Sequence, residues 1–145
     1  MDIKAPISTI MTTDLITVNP GDPLAKAKNA FDQFRIHHLL VLDDEEKLVG
    51  ILSKTDLLYF LDFIDKDSQE PYLTDLRLKN YKVEEIMIKE PFSVSDSDSI
   101  KAVLEVFKEN LFHALPILKG NKLVGIVTTH DVIKALLENH KLLEV

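Results

Sequence analysis

Cysteine is absent from the 145 residues, which excludes disulfides, thiolate nucleophiles and cysteine metal sites and leaves nothing that requires an oxidising compartment. Long apolar runs are absent too. The longest patch, LLYFL at residues 57–61, falls far short of the roughly 20 residues a spanning helix needs. Near Met1 there is no run of about 7 to 15 apolar residues behind a basic segment, as a secretory signal requires. A soluble, cytoplasmic protein without a membrane partner is the expectation. An excess of basic residues is also missing: 24 Asp and Glu stand against 17 Lys and Arg, and the net charge of -7 repels a phosphate backbone, so nucleic acid is excluded as a partner. Finally, the chain lacks a Gly-rich phosphate loop ending in Lys-Ser or Lys-Thr, a Gly-x-Ser-x-Gly elbow and a His-Glu-x-x-His run. No enzyme is predicted, and no catalytic residue is assigned.

What the chain does contain is 46% hydrophobic residues, enough to fill a core, and an internal repeat. KLVGILSKTD at 47–56 returns as KLVGIVTTHD at 122–131, an offset of 75. Upstream the offset is 76, with Ile10, Met11 and Val18 matched by Ile86, Met87 and Val94. Each copy therefore opens with an apolar anchor and a short strand.

A helix follows in both copies. In the first, Asp22 is placed to cap and Pro23 to take the first helical position, with Leu24, Ala27, Phe31 and Phe34 on one face. In the second, Ser97 or Ser99 can cap, and Ile100, Val103, Leu104 and Phe107 form the apolar stripe. LLVLDDEEKLVGIL and LPILKGNKLVGIVT then read as hairpins. The second turn carries Gly120 and Asn121 and is one residue shorter, which explains the change of offset. A closing helix starts after Ser53 and again after Thr128. The unit is β-α-β-β-α written twice, with repeats at 7–64 and 83–140. Between them, 65–82 reads as a polar linker that carries Pro71 and too few apolar residues for a third core element. A unit of about 60 residues buries too little surface to stand alone, so the copies are expected to cover each other's open faces, leaving a groove suited to ligands.

The ordered series of Ile-Met lead-in, helix-to-hairpin passage, then glycine, hydroxyl and carboxylate runs twice between Ile7 and Glu138, the passage ending in HALPI at 113–117 in the second copy. It resembles a tandem pair of CBS domains, the Bateman module. The resemblance implies an α+β fold of two repeats packed by pseudo-twofold symmetry, sheets face to face and helices outside. It also implies a regulatory binding module that takes adenosine-containing ligands such as AMP, ADP, ATP or S-adenosylmethionine in clefts between the repeats. No cofactor is required on this reading; an adenine nucleotide acts as the regulatory ligand. A homodimer is implied, with an effector protein regulated in trans.

Carried over by position, the adenine contacts of such proteins fall on Ile16, Ile36, His37, His38 and Ile51 in the first repeat. In the second they fall on Phe92, Phe112, His113, Ala114 and Ile126. The chemistry of the repeated string is compatible with this ligand in its own right. Ser53 and Thr55, like Thr128 and His130, stand at helix starts where free N–H groups and the positive end of the dipole favour an anion, although plain N-capping needs the same residues. Asp56 and Asp131 recur at one register in the first turn, where a carboxylate is comfortable and can accept two hydrogen bonds from neighbouring ribose hydroxyls. Gly50 and Gly125 are read as strand ends that either admit a flat ring or another backbone, or relieve crowding between strand and helix.

His37 and His38 are expected on opposite sides of a strand without companion ligands, so no metal site is predicted; His37, His113 and His130 can face phosphate. Leu40 departs from the family's usual proline, which stands at Pro116 in the second repeat. The acidic balance favours a ligand of low charge such as AMP. The same scarcity of cations also fits an alternative, a dimerisation or partner-docking module that binds no ligand.

Overall fold

A computed structural model describes residues 1–65, 70–110 and 112–143; the stretch 66–69 of the expected linker lies outside the described residues. In chain order the elements are β1 (Thr17–Val18), α1 (Leu24–Phe34), β2 (His38–Leu42), β3 (Leu48–Ser53), α2 (Lys54–Ile64), α3 (Pro71–Asn80) and β4 (Ile88–Lys89). Then follow β5 (Val94–Ser95), α4 (Ile100–Asn110), β6 (Ala114–Lys119), β7 (Lys122–Thr128) and α5 (Thr129–Leu143). The doubled β-α-β-β-α series is present, and the fold is α+β. One sheet has the order β1-β2-β3-β4 and the other β5-β6-β7. In each, the short first strand runs parallel to the second and the hairpin is antiparallel.

The described residues fall into two compact units. Residues 16–91 form one, the first-repeat unit; residues 1–15 with those from 92 onward form the other, the second-repeat unit. The lead-in segments are therefore exchanged. Ile10 and Met11, which precede the first repeat, pack on the core built from Val94, Ile100, Val103, Leu115, Ile117 and Val127. Ile86 and Met87, which precede the second repeat, pack on Val18, Leu24, Phe31, Leu39, Leu52 and Leu57.

The glycines show why these anchors sit where they do. Gly50 and Gly125 lie inside β3 and β7, not at their ends, each next to a bulge in the hairpin ladder. A Cβ built on Gly50 would stand 2.4 Å from the Met87 sulfur and 3.1 Å from the Ile88 carbonyl oxygen; on Gly125 it would stand 2.6 Å from the Met11 sulfur and 3.1 Å from the Thr12 oxygen. Of the two expected roles, close approach of another backbone is the one observed.

Helix starts differ from expectation in a related way. Pro23 is the extended residue before α1, and Asp22 makes no cap. Its carboxylate instead accepts from the Asn19 amide at 2.8 Å and pairs with Lys26 at 3.2 Å. The amide of Leu24 donates to the Tyr81 carbonyl at 2.9 Å, so backbone from a distant segment satisfies the helix start. In α4, Ser99 does cap, accepting from the Ala102 amide at 3.1 Å, and the Ile100 amide donates to Ala5 oxygen at 2.9 Å. Phe34, expected on the buried face of α1, is 48% exposed; Ala30 takes that place.

The linker contributes more than surface contacts. Its described part forms α3, whose Leu78 is buried in the first-repeat core. Tyr81 meets Phe60 edge-on with centroids 5.1 Å apart. Arg77 ties α3 to the end of α2, pairing with Asp65 at 2.6 Å and donating to the Ile64 carbonyl, while the Thr74 hydroxyl donates to Asp65 at 2.9 Å. Sparse apolar spacing hid this helix, because one buried leucine and one ion pair carry it.

Candidate functional site

Strand register gathers the candidate residues at one end of each sheet. In the first-repeat unit β1 pairs Thr17 with Leu40, and β2 pairs His38 with Ser53. Ile16, just before β1, Ile36 and His37, just before β2, and Ser53 to Asp56, where β3 turns into α2, consequently share that edge. The Lys54 amide donates to the His37 carbonyl at 2.9 Å and closes the corner. Ile16 and Ile36 are half-buried against the core. Ile51, one pleat inward, pairs with Ile88 of β4. His37 and Thr55 are exposed, and His38 is half-buried.

The second-repeat unit builds the same corner. Ala114 pairs with Thr128, and the Thr129 amide donates to the His113 carbonyl at 3.0 Å. His113 and His130 are exposed, whereas Ala114 is buried. Phe92 and Phe112, at the positions of Ile16 and Ile36, stack on each other with ring centroids 6.0 Å apart at 17°.

Both junctions cap their helix with the expected hydroxyl. Ser53 accepts from the Asp56 amide at 3.0 Å, and Thr128 accepts from the Asp131 amide at 3.0 Å. The reverse bond, Thr128 amide to Asp131 carboxylate at 2.9 Å, is made in the second repeat. There the Thr12 hydroxyl also donates to the other Asp131 oxygen at 3.3 Å. Among the described residues no hydrogen bond reaches the carboxylate of Asp56. Sequence reasoning overlooked Thr12; the available signal was the internal alignment, which sets Thr12 opposite Ile88 at the offset of 76.

What each corner offers is a half-buried carboxylate, an apolar or aromatic pair beside it, exposed histidine and hydroxyl groups, and a helix start. That combination can hold a diol, a flat ring and an anion together. Among the described residues no group of three His, Asp or Glu side chains converges as metal ligands, and no helix is long and apolar enough to cross a membrane.

The CBS domain family matches the chain at residues 7–62 and 83–138. An uncharacterized 17.7 kDa protein in the bps2 3' region of Acidianus ambivalens is 30% identical over 135 residues, which covers 92% of this chain and 74% of the relative. Inosine-5'-monophosphate dehydrogenase of Methanocaldococcus jannaschii is 30% identical over 126 residues, 86% of this chain but only 22% of the enzyme. Among solved structures, that of CBSX2 in complex with AMP is 28% identical with a TM-score of 0.78, over 94% of this chain and 99% of that one; CBSX2 is a CBS-pair protein of Arabidopsis thaliana. With the family matching both copies of the repeat, the chain belongs to the CBS domain family as a tandem pair.

Proposed function

We propose that this chain is a regulatory module that binds an adenosine-containing nucleotide at its strand-to-helix corners and passes the signal to a partner protein, without catalysis of its own. The observation that carries the reading is the corner itself, built twice with an aspartate at the same position of the first helical turn. A carboxylate there accepts a ribose diol, the adjoining helix start and histidines suit phosphate, and the apolar pair suits a purine face. The AMP complex of a 28% identical CBS-pair protein supports the ligand class, and the net charge of -7 favours the low-charge members of it. His37, Thr55, His113 and His130 are assigned to the phosphate end, and Ile16, Ile36, His38, Ile51, Phe92, Phe112, Ala114 and Ile126 to the base.

A second reading, self-association or partner docking, has its own observation. Leu58, Tyr59 and the 78% exposed Phe63 on α2, and Ile133, Leu136 and Leu137 on α5, leave apolar faces in water. A homodimer would cover them.

Isothermal titration with AMP, ADP, ATP and S-adenosylmethionine is expected to give saturable binding of at least one, lost in the double variant Asp56→Asn/Asp131→Asn. A flat response of the unsubstituted protein to all four at millimolar concentration overturns the nucleotide reading. Self-association by light scattering that persists under that flat response favours docking.

A further inference from the structure

Resting on the nucleotide reading, we propose that the two corners are unequal by construction: the Asp56 corner binds first and tighter, and Thr12 holds the Asp131 corner back. Two separate observations carry this. At the carboxylate end, Asp131 has a partner on each oxygen, the Thr128 amide at 2.9 Å and the Thr12 hydroxyl at 3.3 Å. A diol that takes both oxygens must share one of them with the Thr12 hydroxyl or displace it, whereas Asp56 offers its carboxylate without such competition among the described residues. At the base end, Phe92 and Phe112 stack with centroids 6.0 Å apart. A purine held between two parallel rings needs them about 7 Å apart, twice the ordinary contact distance, so these rings fill their own slot.

The difference at the carboxylate traces to one residue in the lead-in segment. Thr12 is fixed against β7 by two backbone bonds, its amide to Ile126 oxygen at 2.8 Å and the Ile126 amide to its oxygen at 3.0 Å. Ile88 occupies the matching place against Ile51 of β3, and its side chain has nothing to donate. Thr12 thus sits where a ligand on Asp131 would be sensed by residues 1–15, and it is a specificity-determining residue rather than part of the scaffold.

The experiment is AMP titration, by calorimetry, of the full chain and of Asp56→Asn, Asp131→Asn, Thr12→Val and Asp56→Asn/Thr12→Val. Asparagine keeps the shape of the cap and valine the shape of threonine, and thermal melts verify folding. The tighter phase is expected to vanish in Asp56→Asn and to persist in Asp131→Asn. In the Asp56→Asn background, Thr12→Val should tighten the remaining phase by about three- to tenfold, the net worth of one ordinary hydrogen bond, as suits a bond as long as 3.3 Å. As a second readout, the Thr12 methyl resonance should shift only with the weaker phase. Loss of the tighter phase in Asp131→Asn, equal losses in both aspartate variants, or a change under twofold on adding Thr12→Val overturns the inequality while leaving the nucleotide reading intact. No binding to the unsubstituted chain overturns both.

Discussion

The two units share a ten-residue string, yet their surroundings differ. The first-repeat unit has a four-stranded sheet and an extra helix, α3, whose Leu78 enters its core. The second-repeat unit has three strands, and its fourth-strand place is reduced to the single bridge between Thr12 and Ile126. What differs at the candidate corner follows from those neighbours. A strand residue that cannot donate, Ile88, leaves one aspartate open; a threonine at the same place engages the other. Duplicated sequence thus yields related corners, and the segment laid against each one decides which partners its aspartate has.

Five substitutions test how deep the comparison runs. The largest effect is expected from Leu78→Ala, which empties a buried place in the first-repeat core alone and should destabilise that unit by about 2–4 kcal/mol. Urea denaturation followed by hydrogen exchange would read it. Loss of protection spread evenly over β2 and β6 would mean that the two units do not differ in their reliance on α3. Next, Gly50→Val and Gly125→Val should each cost about 1–3 kcal/mol, since both push a side chain into a methionine and a carbonyl. Here similarity is the expectation, and a variant that melts like the parent in one unit only would break it.

The smallest effect concerns the hairpin turns. Glu46 adopts φ 63° and Gly120 adopts φ 63°, a left-handed conformation that penalises a side chain by about 1 kcal/mol or more. Glu46→Gly should raise the denaturation midpoint slightly and Gly120→Ala should lower it. The first turn is already braced, because Asp43 accepts from the amides of Glu45 and Lys47 at 2.9 Å each. A gain from Glu46→Gly smaller than the loss from Gly120→Ala would measure that bracing.

Much of the fold was legible because its signals are short in range. Leu24, Ala27 and Phe31 recur at helical spacing and are buried in α1; Leu123, Gly125 and Val127 alternate and are buried in β7. The capping hydroxyls at Ser53, Ser99 and Thr128 also act across three residues, within reach of local reading. Asp22 escaped it: the first amide of α1 bonds to Tyr81, 57 positions away, and no local rule anticipates a cap delivered by remote backbone. Helix α3 escaped for a like reason, since its warrant is one leucine and the Arg77–Asp65 pair.

Periodicity and spacing over a few residues were enough to read the doubled β-α-β-β-α order, the family, the left-handed Gly120 and the capping hydroxyls directly from the amino-acid sequence. It took the folded chain to show that residues 1–15 join the second repeat and 83–91 the first, that Gly50 and Gly125 make room for Met87 and Met11, and that Thr12 reaches Asp131 across 119 positions. Those pairings are contacts between segments far apart in the chain. Their selection rests on which buried surfaces and backbone groups can be satisfied together, a condition of the whole fold and not of any short segment.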